Sequence, residues 1–402
     1  MASTIGVLGC KAPLLQDRVC ISRTIECLSV RENRVCFAKR FCAPTPLARI
    51  STRSVHRDQL HPLQTTQINA MGENAEKKTE EKTETEAKTA EYSASMQQAM
   101  GTTLEYRHEL GMNYAHVLTD LIVGSCLQTP ADADKLKDAG VGVIFCLQQD
   151  PDLAYFGVDL PAIQAHVKEL DGIDHYRCQI RDFDPYDLRM RLPVAVAQLH
   201  NAIEAHKGKT AYVHCTAGLG RAPGVALAYM YWLRGLSLKE ANDRLQKVRR
   251  CHPKLESIKA ATADLLTEGS KQVVDLKWEG GPKHVEIAGL DVGWGQVYLQ
   301  TRLPMEYRQS ENQWILRREL PVGRYEYKFV VDGVWMTNPE LPLSQPNREG
   351  QVNNVIEVTD TAQSGASKQL REQLMQEDAD LTSEHRAKIR AKLEEIANSG
   401  QW

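Results

Sequence analysis

The chain has no long apolar run, no excess of charge of either sign and no CxxC spacing among its cysteines. Nothing approaches the roughly 18 consecutive apolar residues of a membrane-spanning helix, so no membrane partner is expected. Lys and Arg number 49 against 52 Asp and Glu, a net charge of −3. That balance offers no broad cationic surface to a phosphate backbone and sets nucleic acid aside as a main partner. The ten cysteines lack zinc-ligand spacing, which argues against a disulfide scaffold or a metal site, and no cofactor is implied. Self-similarity at the ~20–50-residue periods of solenoids is also absent.

The near-zero net charge hides an uneven distribution. Residues 1–70 carry ten Lys/Arg (Lys11 to Arg57) against four acids, Asp17, Glu26, Glu32 and Asp58. Basic, Ser/Thr-bearing and without an apolar core segment, this stretch reads as an organelle transit peptide. Cys10, Cys20, Cys27, Cys36 and Cys42 would leave with it, and Cys126, Cys146, Cys178, Cys215 and Cys251 would remain. From Glu73 to Glu91 the text is Glu, Lys, Thr and Ala with almost nothing to bury, so residues 71–103 are expected to be a disordered linker.

Folded structure is expected from Leu104. Asp120–Gly124 and Val141–Leu147 are short unbroken apolar runs, as in strands covered on both faces. Helical patterns follow at Pro130–Ala139, Pro161–Leu170, Pro193–His206, Pro223–Leu233 and Ser237–Arg250. This alternation predicts a mainly parallel α/β layer over residues 104–269. Beyond it, Val273–Trp278, His284–Ala288, Gln296–Leu299, Trp314–Arg317, Tyr325–Val331 and Asn354–Val358 alternate over short stretches split by Gly, Pro and Asn. They predict an antiparallel β-sandwich over 270–360. Residues 361–402 read as helical, with Leu381, Ile389, Leu393 and Ile396 on a stripe that must pack on something.

The most informative stretch is Thr210-Ala-Tyr-Val-His214-Cys215-Thr-Ala-Gly-Leu-Gly-Arg221-Ala-Pro223. A strand runs into a His-Cys-x5-Arg loop that opens a helix. Gly218 and Gly220 let successive N–H groups turn inward as an anion nest, and Pro223 suits a first helical turn. The positive helix end and Arg221 favour a thiolate at Cys215 with a phosphate beside it.

This loop resembles the active site of the cysteine-dependent dual-specificity phosphatases. The resemblance implies that Cys215 attacks phosphorus, while Arg221 and the backbone of Thr216, Ala217, Gly218, Leu219 and Gly220 hold the phosphate oxygens. It also implies a general acid on a loop about thirty residues earlier, where Arg181-Asp182-Phe183-Asp184 stands. Asp182 fits best and Asp184 is the alternative. Most members carry Ser or Thr after the Arg; here it is Ala222. The core Ala217-Gly-Leu-Gly-Arg221 looks like the subset acting on phosphorylated glucans.

Gly289–Gly295, Leu320–Trp335 and Val352–Val355 resemble the carbohydrate-binding module of the AMP-activated kinase β subunit and of starch-branching enzymes. That likeness makes Trp294 and Trp335 sugar-stacking faces, with Lys328, Asn353 and Asn354 bonding hydroxyls, whereas Trp278 and Trp314 suit core packing. The two resemblances in this order match the plant phosphoglucan phosphatases, and Tyr114, Tyr155, Phe156 and Phe183 look like that family's glucan-channel aromatics. Family members often carry a further aromatic at the position of His252. The implied activity is removal of monoester phosphate from starch at the granule surface in the plastid stroma. A starch-targeted protein phosphatase and a silent glucan-binding scaffold are the alternatives. Finally, Cys146 and Cys215 both stand at C-terminal ends of parallel strands, which suggests a reversible Cys146–Cys215 disulfide.

Overall fold

The computed structural model describes residues 65–267, 271–294, 302–347, 350–359, 365–377 and 379–399. Residues 1–64 of the transit peptide expected over 1–70, and the strand expected at Gln296–Leu299, lie outside them.

The first described element is helix α1 (Thr65–Met100), a correction to the linker expected over 71–103. Its Ala, Glu, Lys and Gln are strong helix formers. Tyr92, Met96 and Met100 recur every four residues, so they fall on one face and are buried against the domain that follows.

That domain is a five-stranded sheet made of β1 (Tyr114–Leu118), β2 (Leu121–Gly124), β3 (Val141–Cys146), β4 (Asp174–Arg177) and β5 (Thr210–His214). Its order is β1-β2-β5-β3-β4, with β1 antiparallel to β2 and the other pairings parallel. The intervening helices are α2 (Pro130–Asp138), α3 (Asp150–Phe156), α4 (Leu160–Glu169) and α5 (Pro185–Ala205). After β5 come α6 (Arg221–Leu233), α7 (Leu238–Val248) and α8 (Leu255–Thr267). Residue parity divides the sheet. Val143, Phe145, Val213 and Cys215 face the larger core under α5 and α6. Ile144 and Tyr212 face a smaller one under α2 and α4.

Helix α5 starts eight residues before the expected Pro193. Asp184 caps it, accepting from Tyr186 N and Asp187 N, Pro185 takes the first turn and Pro193 lies inside the helix.

The sandwich comprises β6 (Lys271–Glu279), β7 (Val285–Gly289), β8 (Leu303–Pro304), β9 (Glu306–Arg308), β10 (Gln313–Pro321), β11 (Gly323–Val331), β12 (Val334–Met336) and β13 (Asn354–Val358). One sheet runs β6-β10-β9; the other runs β12-β11-β7-β8 with β13 on β11. Tyr325, Tyr327 and Phe329 fill the space between them with Trp314 and the partly buried Trp278.

The last helices, α9 (Gly365–Leu374) and α10 (Ser383–Asn398), return to the first domain. Leu374, Leu381, Ile389 and Leu393 join its larger core, and Ile396 packs against it. The C-terminal stripe therefore finishes the α/β domain that the chain had left more than a hundred residues earlier.

Candidate active site

The loop between β5 and α6 has the curled form its glycines allow. Gly218 sits at φ +68°, and a Cβ there would stand 2.3 Å from the Gly124 carbonyl oxygen, so no other residue fits. The Gly218 N–H donates to Cys215 Sγ at 3.3 Å. Arg249 grips the loop from outside, Nε to Gly218 O at 2.7 Å and Nη2 to Ala217 O at 2.9 Å. Thr216 Oγ1 accepts from Gln148 Nε2 at 3.2 Å and from Arg221 Nη2 at 3.1 Å. With Ala222 carrying no hydroxyl, Thr216 supplies the one inside the loop.

Arg221 lies between two carboxylates. Its Nη1 meets Asp152 Oδ2 at 2.5 Å and its Nη2 meets Asp182 Oδ2 at 2.7 Å, while Nε is buried without a hydrogen-bond partner. Such an orphaned donor costs free energy until an acceptor arrives, and a phosphate oxygen is a fitting one. One cation cannot neutralise two buried carboxylates. Burial raises the Asp182 carboxyl above its ordinary range, Arg221 opposing and Asp152 reinforcing the shift. A shift in this direction favours the protonated carboxyl that a leaving oxygen needs.

Asp184, the alternative acid, is occupied otherwise. It caps α5 and receives Arg181 Nη1 at 2.7 Å. Between the two acids Phe183 adopts φ +54°, a conformation that costs a bulky residue strain.

Phe156 and Phe183 flank the same cleft, each with its ring 5.5 Å from that of Tyr92. Tyr155 packs edge-on against Phe156, and His252 and Lys254 line the pocket beside Gly220 and Arg221. Tyr114 does not join them. It is exposed on edge strand β1, against His116 and Tyr212.

In the sandwich Trp294 and Trp335 are 42% and 44% exposed, with the Arg302 guanidinium 5.3 Å from the Trp335 ring. Lys328 is half-buried on the face of β11 opposite Tyr327 and Phe329, and Asn353 donates to Glu326 at 2.8 Å. Asn354 corrects the expectation. It is fully buried and ties down a loop through Asn338 N and O, both at 2.8 Å, so it cannot bond a sugar.

Cys146 and Cys215 are both free thiols. Cys146 pairs with His214 across β3 and β5, one residue short of Cys215, so the backbones are adjacent. The side chains diverge. Cys146 faces His175 and His214, the three ligating atoms lying within 4.8 Å of one another, while Cys215 faces the larger core. A bridge in this arrangement requires backbone movement. The Cys146–His175–His214 group offers a thiol and two imidazoles to a thiophilic cation.

The module touches the acid loop directly. Arg181 Nη1 donates to Val292 O at 3.1 Å, and a Cβ on Gly293 would stand 3.2 Å from Asp184. Arg189 forks onto Asp264 at 2.7 and 2.8 Å and reaches Val322 O. A cleft of 510 Å³ opens at this seam, bordered by Tyr186, Trp294, Arg324 and Arg371.

Asp152, Arg249 and Tyr92 escaped sequence reasoning. Asp152 is one acid among many until the fold sets it on Arg221; Arg249 and Tyr92 act on the loop from distant segments.

A cysteine loop of this geometry, with its acid and a β-sandwich docked on the acid loop, defines a cysteine-dependent dual-specificity phosphatase carrying a glycan-recognition module. Residues 135–259 match the dual specificity phosphatase catalytic domain, and residues 272–364 match the glycogen recognition site of AMP-activated protein kinase. The chain is 50% identical over 317 residues to the amyloplastic phosphoglucan phosphatase DSP4 of Castanea sativa, covering 79% of this chain and 83% of that one. It is 29% identical over 286 residues to the chloroplastic phosphoglucan phosphatase LSF1 of Arabidopsis thaliana, covering 68% and 46%. The module alone is 35% identical over 86 residues to the human AMP-activated protein kinase subunit beta-1, covering 21% and 28%. The chain belongs to the phosphoglucan phosphatases.

Proposed function

We propose that this enzyme hydrolyses monoester phosphate from glucosyl units of starch through a phosphocysteine intermediate. Cys215 attacks phosphorus in line, Arg221 Nε and the loop amides hold the equatorial oxygens, and Asp182 gives its proton to the departing sugar oxygen. The same carboxylate then takes a proton from the water that cleaves the S–P bond, and inorganic phosphate leaves. Thr216, the hydroxyl of the loop, is placed to assist that second step where Ala222 cannot.

The observation that carries the reading is the bond from Arg181 to Val292. It couples the acid loop to the strand end bearing Trp294, so a chain held by the module lies next to the chemistry. The relatives named amyloplastic and chloroplastic and the basic first 70 residues support delivery to a plastid after removal of a transit peptide. The glycan-recognition module supports action at the granule surface. A Cys146–Cys215 disulfide belongs to this proposal as a reversible off state, formed when the catalytic loop swings toward β3.

Cys215→Ser tests the chemistry. It should abolish phosphate release from solubilised amylopectin and leave amylopectin binding at the wild-type level. Residual release above about a thousandth of wild type would rule out a nucleophilic Cys215.

A further inference from the structure

The catalytic groups are closed off. Cys215 is 2% exposed, Arg221 3% and Asp182 7%. The pocket lined by Asp182 and Arg221 holds 20 Å³, room for about one water and far less than a phosphorylated sugar. What fills the space is the end of α1. Tyr92 Oη lies 2.7 Å from Asp182 Oδ2, and Met100 borders the pocket with its Cε 3.3 Å from where a Cβ on Gly220 would stand. The three aromatics expected to line the glucan channel near the acid are also taken. Phe156 and Phe183 hold the Tyr92 ring, and Tyr155 donates to Glu91 at 2.7 Å and to Lys88 O at 3.2 Å.

The geometry points to α1 as a built-in occupant of the catalytic cleft, with the Tyr92 phenol standing where the leaving oxygen of a phosphoester stands, and with a glucan chain as the ligand that displaces it. The inference rests on the phosphoglucan reading and adds regulation to the same site.

The hydroxyl of Tyr92 meets the one group that protonates a leaving oxygen, so the helix resembles product more than substrate and carries no phosphate to lose. Its attachment is suited to release. Among the described side chains from residue 83 on, the buried ones lie in its last turns, at Thr89, Tyr92, Ser93, Met96 and Met100. Ser93 exchanges hydrogen bonds with the Tyr106 backbone at 3.0 and 3.1 Å. Helices gain most of their stability from such packing, so an arriving chain that competes for Phe156 and Phe183 weakens the whole end of α1. The module favours that exchange by raising the local concentration of glucan. Only the open fraction turns over, so the apparent rate scales with that fraction.

The test uses the full chain and a small aryl phosphate, which needs the catalytic loop but not the module. Tyr92→Ala and Met96→Ser should each raise kcat/KM on this substrate about tenfold. In the wild-type chain, hydrogen exchange of residues 84–100 should quicken on adding an unphosphorylated malto-oligosaccharide. Correctly folded variants within twofold of wild type, together with unchanged exchange, would overturn the proposal. If a variant fails to fold, the exchange measurement decides alone. Activation on aryl phosphate without phosphate release from amylopectin by any form would sink the glucan substrate and leave the closing helix standing.

Discussion

Arg181 and Val292 are separated by more than a hundred positions, yet the guanidinium of one donates to the carbonyl of the other at 3.1 Å. Arg181, the residue before the proposed general acid Asp182, is thus anchored two residues from Trp294. Because Arg181 also binds Asp184, the cap of α5, the loop of Asp182 and the loop of Trp294 share one support. On the proposed roles, glucan binding at the module and proton delivery at Asp182 are coupled through it.

The acid assignment separates by leaving group. Asp182→Ala should slow release from amylopectin by about 10²–10⁴-fold but an activated aryl phosphate far less, since a good leaving group needs little protonation. Asp184→Ala should instead lower stability by about 1–2 kcal/mol through loss of the α5 cap. Steady-state kinetics on both substrates with thermal melts checks this. The leaving-group signature appearing in the Asp184 variant would reverse the roles.

The two exposed tryptophans should matter only to long chains. Trp294→Ala or Trp335→Ala is expected to weaken amylopectin binding and turnover about tenfold or more while sparing the aryl phosphate, because only a long glucan engages both domains. Equal losses on both substrates would make them structural. Asn354→Ala is expected to do the opposite, lowering the melting temperature by removing buried bonds to Asn338.

Buried imidazoles set an acid limit. Burial depresses His214 to about 3 and His108 and His175 to about 4. A depressed folded value means stability that is complete above the unfolded value of 6.5 and is lost as pH falls toward the folded value. At about pH 5 the loss is ~2 kcal/mol for each such ring. Thermal midpoints should therefore fall between about pH 7.5 and 5, and His175→Gln should flatten the slope. A midpoint independent of pH in both proteins would contradict it.

Oxidation should pair Cys146 with Cys215 and stop turnover, with dithiol restoring it. Cys146 is grouped with His175 and His214 whereas Cys215 belongs to the larger core, so formation is expected to need movement of the loop and to be slow. Peptide mapping that joined Cys215 to Cys178, or to nothing, would remove the switch from the account.

The layered domain and the sandwich were legible because unbroken apolar runs and short alternating ones report burial on two faces or one. The catalytic loop was legible because an anion nest needs glycines at fixed places. Helix α1 was not, since large apolar residues are sparse in a highly charged stretch, and the surface on which Tyr92, Met96 and Met100 dock comes from later in the chain. For Cys146 the strand-end argument gave the right neighbourhood, but parity decides the face, and Cys215 follows the residue paired with it. Asn354 shows a similar limit, because an amide that could bond a sugar equally well bonds a loop.

The central claim is that the enzyme acts on phosphorylated glucan. Phosphate release from solubilised amylopectin is to be compared with release from a phosphotyrosine peptide at equal phosphate concentration. The account predicts kcat/KM at least about tenfold higher on amylopectin, with Trp294→Ala shrinking that preference. An equal or higher kcat/KM on the peptide would contradict it.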